Sequence, residues 1–227
     1  MTFEDGTQNR LRLYAVTFLI AMLALQILFA AWLSDDAYIT LRTVENAATG
    51  YGLRWNVIER VQVYTHPLWM FLLLGGRLLT GEVFYSSYLV SFICTLIALI
   101  ILLGRLSPSR HNTLIGLLLL VTSASFIDYS TSGLENPLSH LLLITFIWLF
   151  LSSDFQKSSS LFWLSFIASL AAFNRLDTLA FYGFPVLWAW WQHGRWQGFF
   201  ALAAGQFPLI AWEIFSVIYY GFPFPNT

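Results

Sequence analysis

Charge is the scarcest property of this 227-residue chain: Asp, Glu, Lys and Arg make up 10% of it, against roughly 25% in a soluble domain. The formal net charge of -1 supplies no basic field, which argues against nucleic acid as a partner. Cysteine is nearly absent. Cys94 stands alone, so no internal disulfide forms, and no Cys/His pair has zinc spacing. There is no internal repeat and no low-complexity tract. What fills the chain is apolar: hydrophobic residues reach 58% and aromatics 18%. Such a chain is too apolar for disorder. It reads as an all-α, polytopic membrane protein.

Leu13 to Leu33 is an uncharged run of 21 residues, enough for a helix to cross a hydrocarbon core of about 30 Å. A signal peptide has a shorter apolar region and a basic front. Here Glu4 and Asp5 offset Arg10 and Arg12, so the run reads as a retained span with a cytoplasmic N-terminus. Six later runs follow, at 83–104, 112–127, 138–153, 158–174, 178–192 and 197–218, the last containing Glu213. A further stretch, His66–Leu79, is short and interrupted by Gly75-Gly76-Arg77. It fits an interfacial amphipathic helix better than a span. With seven spans, Arg10, Arg12, Arg105, Arg110, Lys157 and Arg195 all face the cytoplasm, as the positive-inside rule requires. An eighth span would turn Arg105, Arg110 and Arg195 outward.

This topology sorts the acids. Asp35, Asp36, Glu45, Glu59, Glu82, Asp128, Glu135 and Asp177 fall on the outer side, with Glu4, Asp5 and Asp154 inside. A purely structural protein has no need to gather carboxylates at one mouth. The sharpest cluster is Ser34-Asp35-Asp36, directly after the first span. Ser34 is a good N-cap and acids suit a first turn, so the pattern predicts a helix near 35–49. Its apolar stripe is Ala37, Leu41, Val44 and Ala48. Asp35, Ile39, Arg42 and Asn46 form another face, on which Arg42 is expected to neutralise Asp35. A capped surface helix is the simpler account. Adjacent carboxylates at a membrane mouth also suit a general base or a divalent cation site.

Further outer constellations follow. Tyr64-Thr65-His66-Pro67 leads into an interfacial helix predicted near 66–80, where Tyr and Trp also match an aromatic belt. Ser132-Gly133-Leu134-Glu135-Asn136-Pro137 is a short outer turn. Asn174-Arg175-Leu176-Asp177 joins two spans, the second of about 15 residues or roughly 22 Å. That tip is therefore expected to lie recessed, where Arg175 and Asp177 pair with each other or serve a substrate.

Together these motifs resemble the GT-C superfamily of membrane glycosyltransferases, and in particular the mycobacterial arabinofuranosyltransferases that use decaprenyl-phosphate arabinose and related bacterial proteins. The likeness rests on Asp35-Asp36-Ala37-Tyr38-Ile39, Gly50-Tyr51-Gly52-Leu53, Asn56, Glu59, Tyr64-Thr65 with Pro67-Leu68-Trp69, Ser132-Gly133-Leu134-Glu135, and Tyr219-Tyr220-Gly221 with Pro225-Asn226-Thr227. Each motif is weak; the ordered series is specific. It implies a GT-C-like transmembrane domain over residues 1–227 whose first periplasmic loop, 34–82, carries the catalytic aspartate, Asp35 or Asp36.

The resemblance implies transfer of a sugar from a polyprenyl-phosphate donor to a cell-envelope acceptor, at the outer face of the bacterial inner membrane. Spans then supply a groove for the lipid tail. Arg42, Arg54, Arg60 or Arg175 are the cations available to the phosphate, and a carboxylate is needed to activate the acceptor hydroxyl and steady an oxocarbenium-like transition state. Tyr64, His66, Glu135 and Asp177 complete the candidate substrate-binding set. Three positions depart from the family pattern, which has Asn at His66, Thr at Asn136 and an Arg-Pro-acid triplet at 175–177. Relatives are also longer, so the chain reads as a piece of a larger protein or a shortened form. The competing readings are a lipid-binding remnant without chemistry and a transporter or flippase, against which stands the lack of an inverted repeat.

Overall fold

The computed structural model describes residues 3–107 and 109–225, and all of its regular secondary structure is helical, with no strand among the described residues. Asn226 and Thr227, the end of the last family motif, lie outside the described residues. The first helix, α1 (Phe3–Phe29), enters from the N-terminal side. Two shorter helices follow, α2 (Asp35–Ala48) and α3 (Pro67–Thr80), within one residue of the sequence expectation at each bound. Ser34 caps α2 as its pattern requires, its Oγ accepting from the Ala37 N–H at 3.2 Å. Ala37, Leu41 and Val44 are buried on one stripe. Pro67 opens α3, where a missing N–H costs nothing, and Gly81 closes it in the left-handed region at φ 78°.

Beyond these lie α4 (Phe84–Ile101), which runs into a π-helical turn at Leu102–Leu106, then α5 (Arg110–Thr122), α6 (Ala124–Tyr129), α7 (Asn136–Ser152), α8 (Ser158–Asn174), α9 (Leu179–His193), α10 (Trp196–Gly205) and α11 (Phe207–Tyr220). Among the described residues one helix, Phe84–Leu106, is by itself long and apolar enough to cross a membrane. The α10–α11 pair meets the same condition only when taken together, bent by 51°. Several other apolar helices run from 10 to 17 residues.

Two apolar runs that read as single helices are broken. The run 197–218 divides at Gln206, because Pro208 lacks an N–H and its ring crowds the carbonyl four residues back. The break is held in place: Gln206 Nε2 donates to Ser165 Oγ at 2.8 Å and the Leu209 N–H to Ser169 Oγ at 3.1 Å. The run 112–127 divides at Ser123, whose Oγ caps α6 by accepting from the Phe126 N–H at 3.3 Å.

The interior has two apolar clusters. One packs α1 against α5 through Leu19, Leu23, Ile27, Leu117 and Val121. The larger gathers Trp69, Met70 and Leu73 of α3 with Leu138, Leu142 and Phe146 of α7 and Leu161 and Leu164 of α8. At Gly205 an added Cβ would come within 2.6 Å of Ser165 Cβ and 2.8 Å of the Phe162 carbonyl, so α8 and α10 touch at backbone distance. The flanks stay apolar, with Phe29, Phe181, Trp191 and Ile218 each more than three-quarters exposed. Large apolar side chains so exposed suit contact with lipid or protein rather than water.

Candidate active site

Four segments distant in sequence are tied together at one end of the large cluster. The Ser34 N–H donates to the Ser132 carbonyl at 2.9 Å, fastening the start of α2 to the 132–135 turn. The Trp69 indole Nε1 donates to the Gly133 carbonyl at 2.9 Å, fastening α3 to the same turn. Gly133 sits at φ +79°, and a Cβ there would lie 2.7 Å from both Ala37 Cβ and Leu33 Cδ2. Only glycine suits that backbone and that space. Asn174 at the end of α8 donates to Ser139 Oγ of α7 at 3.0 Å, which carries the 174–177 tip to the same place.

The result is a cleft of about 300 Å³ lined by Asp36, Ile39, Thr40, Val63, Tyr64, Thr65, His66, Leu134, Glu135 and Arg175. A continuous polar chain runs along its wall. Arg175 grips Asp177 with two bonds, Nε to Oδ1 at 3.1 Å and Nη2 to Oδ2 at 2.8 Å. Its Nη1 donates to Glu135 Oε1 at 2.9 Å. Glu135 Oε2 lies 3.2 Å from His66 Nδ1, and His66 Nε2 lies 2.7 Å from Thr40 Oγ1. Glu135 and His66 are both buried, at 4% and 7% exposure. Two carboxylates thus share one guanidinium, which spends three of its five N–H donors on them. Two donors are left for a ligand oxygen.

The electrostatics follow from burial and partners. Desolvation pushes the His66 imidazole below its ordinary value of 6.5, against the opposing pull of the Glu135 charge. The hydrogen bond from Arg175 holds the Asp177 carboxyl below its usual range, and the same bond raises Arg175. Burial pushes the Tyr64 phenol well above its ordinary range. Tyr64 OH sits 2.9 Å from Tyr220 OH, which in turn donates to the Leu53 carbonyl at 2.6 Å. With Asp36, Glu135 and Asp177 against Arg175 alone, the cleft favours positive charge developing in a bound molecule.

Of the residues singled out from the sequence, Asp36, Tyr64, His66, Glu135 and Arg175 meet in this cleft, and Asp177 stands beside it on Arg175. Asp35 is exposed outside the lining, its Oδ1 accepting from the Asp36 N–H at 3.1 Å. Arg42 does not neutralise Asp35. Seven residues of helix separate them by about 10.5 Å, and the Arg42 guanidinium instead lies over the Trp55 ring, 4.4 Å from its centroid. Arg42 belongs to a second cleft of about 430 Å³ on another face of α2, with Tyr38, Glu45, Arg77 and Phe84. Arg54 lines neither, its Nη1 donating to the Val57 carbonyl at 2.8 Å. The paired acids carry no metal cluster with them: among the described residues no three His, Cys, Asp or Glu side chains gather to hold an ion.

Sequence reasoning missed Thr40. Its signal was present, since positions 36 and 40 are one helical turn apart and share a face. It also missed the Glu45–Arg77 pair, 2.7 and 2.9 Å long, which clamps α2 to α3.

Over most of its length the chain is similar to two arabinofuranosyltransferases. It is 28% identical over 214 residues to the terminal beta-(1->2)-arabinofuranosyltransferase of Mycobacterium tuberculosis. It is 28% identical over 225 residues to the protein of the same name from Corynebacterium glutamicum. Each match takes in 86% of this chain but only 34% and 32% of the relatives, so the chain spans about a third of their length. No protein-family model matches, and no solved structure does.

Proposed function

We propose that this chain is the membrane core of a glycosyltransferase. It moves a sugar from a polyprenyl-phosphate donor to a cell-envelope acceptor at the periplasmic face of the bacterial inner membrane. One observation carries the reading: Asp36, Tyr64, His66, Glu135 and Arg175, brought from four separate segments, line a single cleft of about 300 Å³. The names of the relatives make arabinofuranose the first sugar to try as donor and as acceptor.

Asp36 is the general base. Its carboxylate is exposed to the cleft, free of a cationic partner among the described residues, and able to take the proton of an attacking hydroxyl. Arg175 offers its two unspent donors to the donor phosphate, held in aim by Asp177. Glu135, fixed by Arg175 and His66, adds negative charge beside the anomeric carbon as positive charge develops there. Tyr64 closes the inner end. Arg42 and Arg54, away from this cleft, have no part in the transfer step.

The transmembrane reading is seven spans with a cytoplasmic N-terminus, α10 and α11 together forming the last and α2 and α3 lying in the outer interface. The arginine distribution and the exposed aromatic flanks support it. Cys94 is buried and is the chain's one cysteine, so a Ser107→Cys variant gives a clean reporter. The new thiol is expected to react with an impermeant reagent only after the cells are opened; reaction in intact cells overturns the topology.

The function is tested with a radiolabelled polyprenyl-phosphate arabinose in vesicles holding the protein. Wild type is expected to pass label to an arabinofuranose oligosaccharide, and Asp36→Asn to pass little. Retention of bound lipid without transfer by wild type would favour a lipid-binding protein without chemistry.

A further inference from the structure

His66 is placed so that its two ring nitrogens are forced into different roles. Glu135 Oε2, a carboxylate oxygen that only accepts, faces Nδ1 at 3.2 Å. Nδ1 therefore carries the proton, and Thr65 Oγ1 at 3.4 Å is a weaker second neighbour of it. In a neutral ring Nε2 is then left with a lone pair. Thr40 Oγ1, 2.7 Å away, must donate its only hydrogen to that lone pair. The Thr40 oxygen is left with acceptor capacity alone. Thr40 lines the cleft together with Asp36, one turn earlier on α2, where Cβ atoms stand about 5–6 Å apart.

Two acceptor-only oxygens one turn apart form a receptor for two neighbouring hydroxyl donors. We infer that Thr40 is a specificity-determining residue: it accepts a hydrogen bond from the hydroxyl adjacent to the attacking one, so that the acceptor is read as a vicinal diol, one hydroxyl on Asp36 and its neighbour on Thr40. The inference rests on the glycosyltransferase reading and names the acceptor chemistry of that cleft. His66 and Glu135 act through Thr40 as positioning residues. They keep its hydrogen turned away from the substrate, and Arg175 holds Glu135 in place through its 2.9 Å bond. A ring protonated on both nitrogens would reverse the arrangement, because Nε2–H would donate to Thr40 and the Thr40 hydrogen would swing into the cleft. The charged groups that bear on the ring are Glu135, Arg175 and Asp36.

The test compares an arabinofuranose acceptor that is attacked at its terminal 2-hydroxyl with the analogue lacking the neighbouring 3-hydroxyl. Wild type is expected to prefer the intact acceptor by roughly tenfold in kcat/KM, the scale of one neutral hydrogen bond. Thr40→Val, close in shape but without the hydroxyl, is expected to lose the preference through KM. Thr40→Ser is expected to keep it. Asp36→Asn lowers the rate on both acceptors alike. Affinities of the two acceptors are read in parallel by calorimetry, so a protein that binds but does not transfer still reports on Thr40 while the transfer reading fails. Nitrogen-15 spectra of the histidines in wild type and Glu135→Gln add a readout apart from activity, with a neutral Nδ1–H signal for His66 expected in wild type. An undiminished preference in a folded Thr40→Val variant overturns the inference, as does an Nε2–H tautomer in wild type.

Discussion

The two clefts beside α2 use the same chemical vocabulary differently. In the larger one, Glu45 and Arg77 meet one to one, with side chains 42% and 21% exposed, and the pair clamps two helices. In the smaller one, Arg175 is shared between Asp177 and a Glu135 side chain that is 5% exposed, and the chain of bonds continues through His66 to Thr40. The first arrangement balances its charges and ends there. The second leaves carboxylate in excess beside an open cavity, with a buried threonine in its lining. A clamp needs charge balance; a site for a cationic transition state needs imbalance held rigidly.

That contrast predicts unequal costs. The largest belongs to Glu135→Ala, which strips a partner from both His66 and Arg175 at a buried position. Each hydrogen bond to a charged group lost there costs about 1.5–3 kcal/mol, and a drop in thermal midpoint of the detergent-solubilised protein is the expected readout. Gly133→Ala comes next, since it places a Cβ 2.7 Å from two side-chain carbons at a positive φ. A loss of about 1–3 kcal/mol is expected, with loosening of the α2 anchorage visible as faster amide exchange at Ala37. Smaller still is an acid effect. Burial holds folded His66 below 6.5, so on acidification the unfolded chain takes up that proton first. Stability present above pH 6.5 is therefore lost as pH falls through the folded-state value, and His66→Gln should flatten this dependence. The smallest effect is reserved for Glu45→Gln in the other cleft, where solvent screening limits an exposed pair; a melting curve close to wild type is expected. A large shift there would erase the distinction between clamp and site.

Much of the fold was legible because it rests on local signals. Ser34 announced α2, Pro67 and Gly81 bracketed α3, and the Ser158–Asn174 run coincides with α8. The two broken runs show the limit: hydropathy counts apolar residues and is blind to Pro208 inside a run and to Ser123 turning from body to cap. Within the site, the predicted topology put Glu135 and Asp177 on the same outer side as the aspartate pair. What spacing could not supply was the order of the contacts. Arg42 shares a helix face with Asp35 on paper, yet two turns of rise separate them and Trp55, brought back by the 50–56 turn, takes the guanidinium. Thr40 stayed hidden for a different reason. Periodicity puts it on the Asp36 face, but its bond to a histidine 26 residues away is not written in that spacing.

The central claim is that Asp36, and not its neighbour Asp35, performs the activation of the acceptor. Initial rates of arabinose transfer from the polyprenyl-phosphate donor, measured side by side for Asp35→Asn and Asp36→Asn in vesicles, test it most directly. Loss of a general base costs about 10²–10⁴-fold, so Asp36→Asn should fall by that much, with unchanged helix content. Asp35→Asn, altered at an exposed position outside the cleft, should keep most of its activity. Wild-type rates in Asp36→Asn, or the large loss in Asp35→Asn instead, would contradict the account.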